Sequence, residues 1–228
     1  MTRKLKKDLH IPFTWEERRP ILLERFFYLP KQFDHKDMHL DFTSPLIFGN
    51  NQPVYLELCS GNGQWIGEKA LLNPEINWVA VEMRFDRARK IWLKLFREKI
   101  SNLYVVCAEG TAFLRHYVKP SSFMESFINF PDPWPKRCHG KHRLIWASFL
   151  QLLGKTMTER GHATLLTDDP TYRDQMIREF AKAGKWQPIF SNPFYKTDWS
   201  SYGDSFFGDL WKEKAREFFY MKYQYADH

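Results

Sequence analysis

A rigid, proline-rich loop holds the most suggestive carboxylate of the chain. Asp132 lies in Phe-Pro-Asp-Pro-Trp-Pro-Lys, residues 130–136, directly after the apolar run 122–130. Each proline fixes its own backbone and biases the residue before it towards extended geometry, so this segment cannot be a helix. The preceding run is typical of a strand, and open α/β sheets bind ligands just beyond the carboxyl ends of strands. The pattern predicts a site at Asp132, with a rigid turn and a solvated aspartate as the alternative.

A glycine turn between a strand and a helix is the second candidate site. The apolar run 54–59 contains Glu57 and leads into Ser-Gly-Asn-Gly, which includes Gly61 and Gly63. Glycines allow the backbone to approach a nucleotide closely. A dinucleotide fingerprint needs another glycine where Ile66 stands, so pyrophosphate binding is disfavoured. A cofactor with an adenosine part and no phosphates, such as S-adenosylmethionine, fits better.

Two further acids follow the next predicted strands. Glu82 ends the run 77–81, and Glu109 follows the run 102–107. An acid at the end of the second strand can accept both hydroxyls of a bound ribose. Glu109 could bond the amine of an adenine, or it could simply open the next helix. Because the ends of parallel strands lie along one edge, these acids predict a single pocket.

Strands and helices alternate along the chain, and this alternation predicts the fold class. Asp168 follows a fifth strand, residues 161–167, and the aromatic run 218–225 is typical of a final strand. Helices are predicted over residues 64–72, 84–99, 142–157 and 172–183. Such alternation implies an α/β fold, a parallel sheet covered by helices on both faces. We expect residues 41–228 to form this domain and residues 1–40 to be a basic, aromatic N-terminal extension packed on it.

The charge balance favours a polyanionic partner. The 228 residues include 34 Lys and Arg against 27 Asp and Glu, a net charge of +7. Such a field attracts phosphates. Basic residues and histidines at 136–143 follow Trp134 directly, and this mixture of aromatic and cationic groups can stack on a base and bind its phosphates. The basic N-terminus, with Arg3 and Lys4, is either an arm on RNA or a solubilising tail.

Other classes of protein are disfavoured. The three cysteines, Cys59, Cys107 and Cys138, are odd in number and far apart, which argues against a disulfide framework. No apolar run reaches membrane-spanning length, and the basic start lacks a hydrophobic signal core. A cytoplasmic protein is therefore expected. The Cys-His-x-x-His sequence at 138–142 has no second ligand cluster nearby, so no metal is expected.

Together these motifs resemble those of the bacterial single-subunit tRNA (guanine-N7-)-methyltransferases. The resemblance rests on residues 56–63, Glu82, the loop 130–136, Thr-Asp at 167–168 and Thr-Asp-Trp-Ser at 197–200, and it covers roughly Asp41 to the C-terminus. It implies a Rossmann-like class I methyltransferase, with a doubly wound, mostly parallel, seven-stranded sheet. S-adenosylmethionine is the implied cofactor and tRNA the implied substrate. The protein is expected to be a monomer without an obligatory protein partner.

The resemblance also implies roles for individual residues. Cofactor contacts are implied for Glu57, Gly61, Gly63, Glu82, Glu109 and Asp132. Asp132 is also the implied catalytic residue. Substrate contacts are implied for Lys136, Asp168, Thr197, Asp198, Trp199 and Ser200. RNA contacts are implied for Cys138, His139, Gly140, Lys141, His142 and Arg143. The implied target is guanosine 46 in the variable loop of tRNA.

Three positions depart from the family pattern. The family usually has glycine at Cys59, a shorter acid at Glu109 and a glutamate at Ser200. The last departure removes a carboxylate from the late motif unless Asp198 replaces it. An RNA-binding protein of this fold that has lost catalysis is therefore one alternative. A methyltransferase for an exocyclic amine is another, although the spacing within the proline loop favours a ring nitrogen.

Overall fold

The apolar runs of the sequence form one nine-stranded sheet in a computed structural model that describes residues 19–31, 33–203 and 216–226. The strands are β1 Ile21–Leu23, β2 Phe26–Tyr28, β3 Val54–Leu58, β4 Asn77–Glu82, β5 Leu103–Cys107, β6 Phe123–Asn129, β7 Met157–Thr167, β8 Trp186–Pro188 and β9 Phe219–Tyr225. Their order is β1-β2-β5-β4-β3-β6-β7-β9-β8. Every residue of β4 and β5 is buried, as continuous apolar runs in a covered parallel sheet require.

Six neighbouring strands, from β2 through β5, β4, β3 and β6 to β7, run parallel. The strands β1 and β9 run antiparallel to their neighbours. The predicted doubly wound, mostly parallel sheet is therefore confirmed. Strands β3–β9 supply the seven expected strands. The two additional strands arise because residues 21–28, inside the predicted extension, pair through β2 with β5.

Helices fill the connections between parallel strands. They are α1 Pro45–Phe48, α2 Gln64–Leu72, α3 Phe85–Arg97, α4 Gly110–His116, α5 Ala147–Thr156 and α6 Pro170–Ala183, with 3-10 helices at Arg137–His142 and Ser200–Tyr202. The helix predicted from residue 142 begins only at Ala147, because residues up to His142 form a 3-10 turn and Trp146 is extended. Within the described residues, none of the helices has the length and apolar composition needed to cross a membrane.

Side chains alternate along the strands between two apolar layers. In β4, Val79 and Val81 face one layer, and Trp78 and Ala80 face the other. The first layer packs against α4, α5 and α6, and the second packs against α2 and α3. Trp92, on α3, is fully buried, and truncating such an aromatic side chain costs about 3 to 5 kcal/mol.

The register of the sheet brings the strand ends to a common edge. Leu58 lies beside Val81 at the ends of β3 and β4, and Glu82 lies beside Cys107 of β5. On the other side of β3, Asn129 at the end of β6 lies beside Leu166 of β7. The chain winds outward in one direction from β3 and in the other from β6, so the strand order reverses between them. Open α/β sheets bind ligands at this position.

Candidate active site

The glycine turn after β3 has a left-handed backbone at three positions. Cys59, Gly61 and Gly63 have φ values of 63°, 56° and 70°. A Cβ atom on Gly63 would lie 2.6 Å from Cγ1 of Ile91, so the close packing of this turn on α3 also requires glycine there. Cys59 has a side chain in a conformation that costs an L-residue roughly 1 to 2 kcal/mol. Glycine, which lacks a Cβ atom, would adopt this φ without that cost.

Glu82 holds the glycine turn against the end of β4. One carboxylate oxygen accepts the Gly61 N–H at 2.9 Å, and the other accepts the Arg84 N–H at 2.8 Å. Burial raises the pKa of Glu82, and these two bonds partly offset that rise. Because a carboxylate oxygen can accept more than one hydrogen bond, both oxygens can also accept from a ligand.

Glu57, near the end of β3, is almost completely buried, with 2% of its surface exposed. Its Oε1 accepts a bond of 2.8 Å from the Asn129 amide. Its Oε2 is buried and has no hydrogen-bond partner among the described residues. Burial raises the pKa of Glu57 to about 7; the Asn129 bond and the nearby Ser60 hydroxyl oppose the rise, and the charge of Glu82 adds to it. A buried carboxylate oxygen without a partner is costly, so this atom suits a cationic or hydrogen-bond-donating ligand.

Glu109 opens α4, which is the alternative that the sequence left open. Its carboxylate oxygens accept from the backbone N–H groups of Thr111 at 2.9 Å and Ala112 at 2.8 Å. This is a helix cap of the kind that satisfies otherwise unpaired donors. The cap fixes the direction of the carboxylate without using all of its acceptor capacity. A contact between Glu109 and an adenine therefore stays a prediction.

The proline-rich loop departs from the extended geometry expected before proline. Phe130 and Trp134 have φ values of 47° and 43°. The Phe130 N–H bonds to the Leu166 carbonyl at 2.8 Å, and its ring packs on Phe218 at 5.3 Å. These tertiary contacts override the local preference, at a cost of order 1 to 3 kcal/mol for each strained residue. Asp132 is exposed, and its carboxylate makes no hydrogen bond or ion pair within the described ranges.

Arg143 fastens this loop to the rest of the domain. Its Nε donates to the Pro133 carbonyl at 2.7 Å, and another guanidinium nitrogen donates to the Gln175 side chain. The guanidinium also lies over the Tyr172 ring, 4.9 Å from its centroid. The Arg143 side chain thus lies against the loop that carries Asp132, and its predicted contact with RNA stays a prediction.

Four carboxylates gather around Cys59. Burial raises the pKa of this thiol, and the charges of Glu82, Asp132, Glu57 and Glu109 raise it further. These acids come from or follow four different strands, β3 to β6. Because the carboxyl ends of parallel strands meet at one edge of the sheet, the register of β3 to β6 places these acids where the strand order reverses.

Asp168 lies farther along the same edge, just after β7. Its carboxylate forms an ion pair with Arg216, and the exposed fraction of the Asp168 side chain is only 9%. Nearby, Lys196 and Tyr220 exchange backbone hydrogen bonds of 2.9 and 2.8 Å. Trp199 packs beside the Tyr220 ring. Three other residues of the predicted substrate motif, Thr197, Asp198 and Ser200, are exposed.

The basic segment after the loop is a 3-10 helix with an exposed aromatic cluster. Trp134 is 37% exposed, and its ring lies 5.8 Å from His139 and 5.2 Å from His142. The other predicted contacts Lys136, Cys138 and Lys141 are exposed, and Gly140 is partly buried. In the part of the chain that the structure describes, no three His, Cys, Asp or Glu side chains are grouped to hold a metal.

The sequence interpretation missed three polar residues of this site. Asn129 bonds to Glu57, Tyr202 bonds to Asn129, and Arg216 pairs with Asp168. A polar residue ending an apolar strand was a usable signal for Asn129. No local pattern singles out Tyr202 or Arg216, because their partners lie far away in the sequence.

Known proteins share both the sequence and the fold. The family model described as "Putative methyltransferase" matches residues 51–216. The tRNA (guanine-N(7)-)-methyltransferase of Chlamydia trachomatis serovar D is 42% identical over 213 residues, which span 93% of this chain and 94% of that protein. The protein of the same name from Chlamydia caviae is 40% identical over 217 residues, 95% and 96% of the two chains. The solved structure of the 16S rRNA methyltransferase KamB shares the fold, with a TM-score of 0.61 at 14% identity over 84% and 96% of the chains.

Proposed function

Because the chain belongs to the tRNA (guanine-N(7)-)-methyltransferase family, we propose that the acidic edge around Cys59 is its active site. The protein transfers a methyl group from S-adenosylmethionine to N7 of a guanine in tRNA. The observation that supports this location best is that four carboxylates stand at or just beyond the ends of β3 to β6, beside the glycine turn to which Glu82 is bonded.

The residues at this edge fit the cofactor. The buried, unpartnered Oε2 of Glu57 suits the ammonium group of its methionine part. Glu82 retains acceptor capacity for ribose hydroxyls, and Glu109 can accept from the adenine amine. The turn at Gly61 and Gly63 allows close approach of the backbone. S-adenosylmethionine supplies an electrophilic methyl group on a positively charged sulfur.

The chemistry requires alignment more than proton transfer. Guanine N7 carries a free lone pair and no proton, so no general base is needed. Positioning of the reacting groups can contribute about 7 to 11 kcal/mol. Asp132 stands on a loop that Arg143 holds in place, and its carboxylate is free to face the purine. Its negative charge stabilises the positive charge that develops on the methylated base. Asp132 therefore acts as an orienting and electrostatic group.

The RNA is bound beside this edge by exposed cationic and aromatic groups. Trp134 and the histidines beside it offer a stacking surface, and Lys136 and Lys141 offer charges for phosphates. On the other side, Asp168 and the segment 197–200 contact the target guanine. Ser200 cannot supply the carboxylate usual in the family, and we assign that role to Asp198, which is exposed nearby.

We further propose that the target is guanosine 46 of the variable loop. We also propose that the enzyme acts as a monomer. The substrate is cytoplasmic in bacteria, and we place the enzyme there as well.

One reaction tests this function. The protein is incubated with methyl-labelled S-adenosylmethionine and an unmodified tRNA transcript, and the nucleosides are analysed by mass spectrometry. N7-methylguanosine is expected, and a matched transcript with adenosine at position 46 should give none. A methyl group on an exocyclic amine would support the other methyltransferase chemistry. Binding of tRNA without any methylation would support an RNA-binding protein that has lost catalysis.

A further inference from the structure

A buried chain of hydrogen bonds joins the late segment of the protein to Glu57. The Tyr202 hydroxyl donates to Oδ1 of Asn129 at 2.5 Å, and Nδ2 of Asn129 donates to Oε1 of Glu57 at 2.8 Å. All three side chains are buried. The two bonds fix the orientation of the Asn129 amide, because only its oxygen can accept from the hydroxyl and only its nitrogen can donate to the carboxylate.

Tyr202 is also held by the helix that follows the glycine turn. Its backbone carbonyl accepts from Nε1 of Trp65 at 3.2 Å, and the two rings stack with centroids 5.3 Å apart. Trp65 is the second residue of α2. Tyr202 therefore contacts the helix of the glycine turn directly and reaches Glu57 through Asn129.

The position of Tyr202 in the chain links these hydrogen bonds to the predicted substrate-binding segment. It ends the 3-10 helix Ser200–Tyr202, so it lies two residues after the end of the predicted guanine-contacting segment 197–200. Asn129 lies three residues before Asp132 at the start of the proline-rich loop. One hydroxyl therefore connects three parts of the site: the cofactor carboxylate, the loop of Asp132 and the late segment.

We propose that Tyr202 is a positioning residue that makes binding of the cofactor and binding of the tRNA depend on each other. This inference rests on the proposed function, since it takes Glu57 as a cofactor ligand and residues 197–200 as substrate contacts. A ligand on the free oxygen of Glu57 fixes that carboxylate, and the hydrogen bonds through Asn129 then fix Tyr202 and the segment before it. Removing the hydroxyl leaves the Asn129 oxygen buried and unbonded, so the amide can turn away from Glu57. By linkage, the coupling must be the same in both directions.

The test measures binding of S-adenosylhomocysteine, the reaction product, by calorimetry with and without tRNA. In the wild-type protein tRNA should tighten this binding by at least about fivefold, the lower end of typical coupling between sites. In Tyr202→Phe the affinity without tRNA should fall about tenfold, and the effect of tRNA should decrease towards none. Tyr223→Phe is the matched control, because its hydroxyl is buried without a partner among the described residues. It should behave like the wild type in both measurements.

A double-mutant cycle separates positioning from a general structural role. If the hydroxyl acts through the amide, Tyr202→Phe should add almost nothing to the loss caused by Asn129→Ala. Additive losses would overturn the proposal, as would wild-type affinity and coupling in Tyr202→Phe, or no coupling in the wild type. Thermal unfolding of each variant verifies that it is folded. Failure of the wild type to methylate tRNA would instead refute the proposed function, so the two failures are distinguishable.

Discussion

Replacing Glu57 with glutamine should stabilise the ligand-free protein and weaken its cofactor binding. Burial raises the pKa of Glu57 from its ordinary value of 4.5 to about 7. Between these pH values the folded protein keeps a proton that the unfolded chain has already lost. Stability from this group is therefore present below pH 4.5 and is lost as the pH rises through about 7. Glutamine cannot ionise, and its oxygen can still accept from Asn129.

The size of the effect follows from the pKa. The interval from 4.5 to about 7 multiplied by about 1.4 kcal/mol per pKa unit gives up to about 3 kcal/mol at pH 8. The affinity for S-adenosylhomocysteine should fall at least about tenfold at the same pH, because a charged partner of the ammonium group is removed. Wild-type affinity should rise between pH 6 and pH 8, as Glu57 ionises. The charged carboxylate that strengthens cofactor binding at pH 8 therefore lowers the stability of the ligand-free protein at the same pH.

Urea unfolding at pH 5 and pH 8 measures the pH dependence of the free energy of unfolding directly. The difference in free energy of unfolding between Glu57→Gln and the wild type should grow with pH. Glu68→Gln, at an exposed position on α2, is the matched control and should show no such growth. A Glu57→Gln variant that is less stable than the wild type at pH 8 would refute the assignment of Glu57 as a buried carboxylate held for a ligand. A difference in free energy of unfolding between the two proteins that is the same at pH 5 and pH 8 would refute it as well.

Five other substitutions, at four positions, test separate parts of the site. Asp132→Ala should remove most methyl transfer and leave tRNA affinity within a few-fold; near-normal turnover would exclude Asp132 from the mechanism. Arg143→Lys should lower kcat about tenfold or more with little change in tRNA affinity, because it loses the bond to the loop. Lys141→Ala should instead weaken tRNA binding and reduce the slope of log affinity against log salt concentration by about one unit. Weaker tRNA binding with normal kcat in Arg143→Lys, together with a lower kcat and normal tRNA binding in Lys141→Ala, would refute both roles. Cys59→Gly should change the free energy of unfolding by less than about 1 kcal/mol, while Cys59→Val should cost at least about 2 kcal/mol in urea unfolding, because φ is positive there. Equal tolerance of both would contradict the strained backbone.

The sequence predicted the parallel core because its strands are long, continuous apolar runs. It predicted α2 with the bounds that the structure shows, since the glycine turn marks its start. It did not predict β1 and β2, which have three residues each and are too short to show a period. Their pairing with the sheet depends on β5, a strand far along the chain. Tertiary contacts of this kind cannot be inferred from local pattern.

The acids of the site were predictable because strand ends carry them, but their surroundings were not. The bond from Tyr202 to Asn129 spans 73 residues. Arg143 is one of several basic residues in its segment, and only the structure distinguishes it from Lys141 by turning it inward. The positive φ of Phe130 contradicts the local preference before proline, because bonds to β7 and packing on Phe218 determine it.

A crystal structure with S-adenosylhomocysteine would test directly whether the cofactor binds at the edge formed by Glu57 and Glu82. We expect the ligand at the edge between β3 and β6, with its amino group bonded to Oε2 of Glu57 and its ribose hydroxyls on Glu82. Asp132 should face the side from which a guanine enters. A ligand bound elsewhere on the protein, or bound at this edge without contact to Glu57 and Glu82, would contradict the proposed location of the active site.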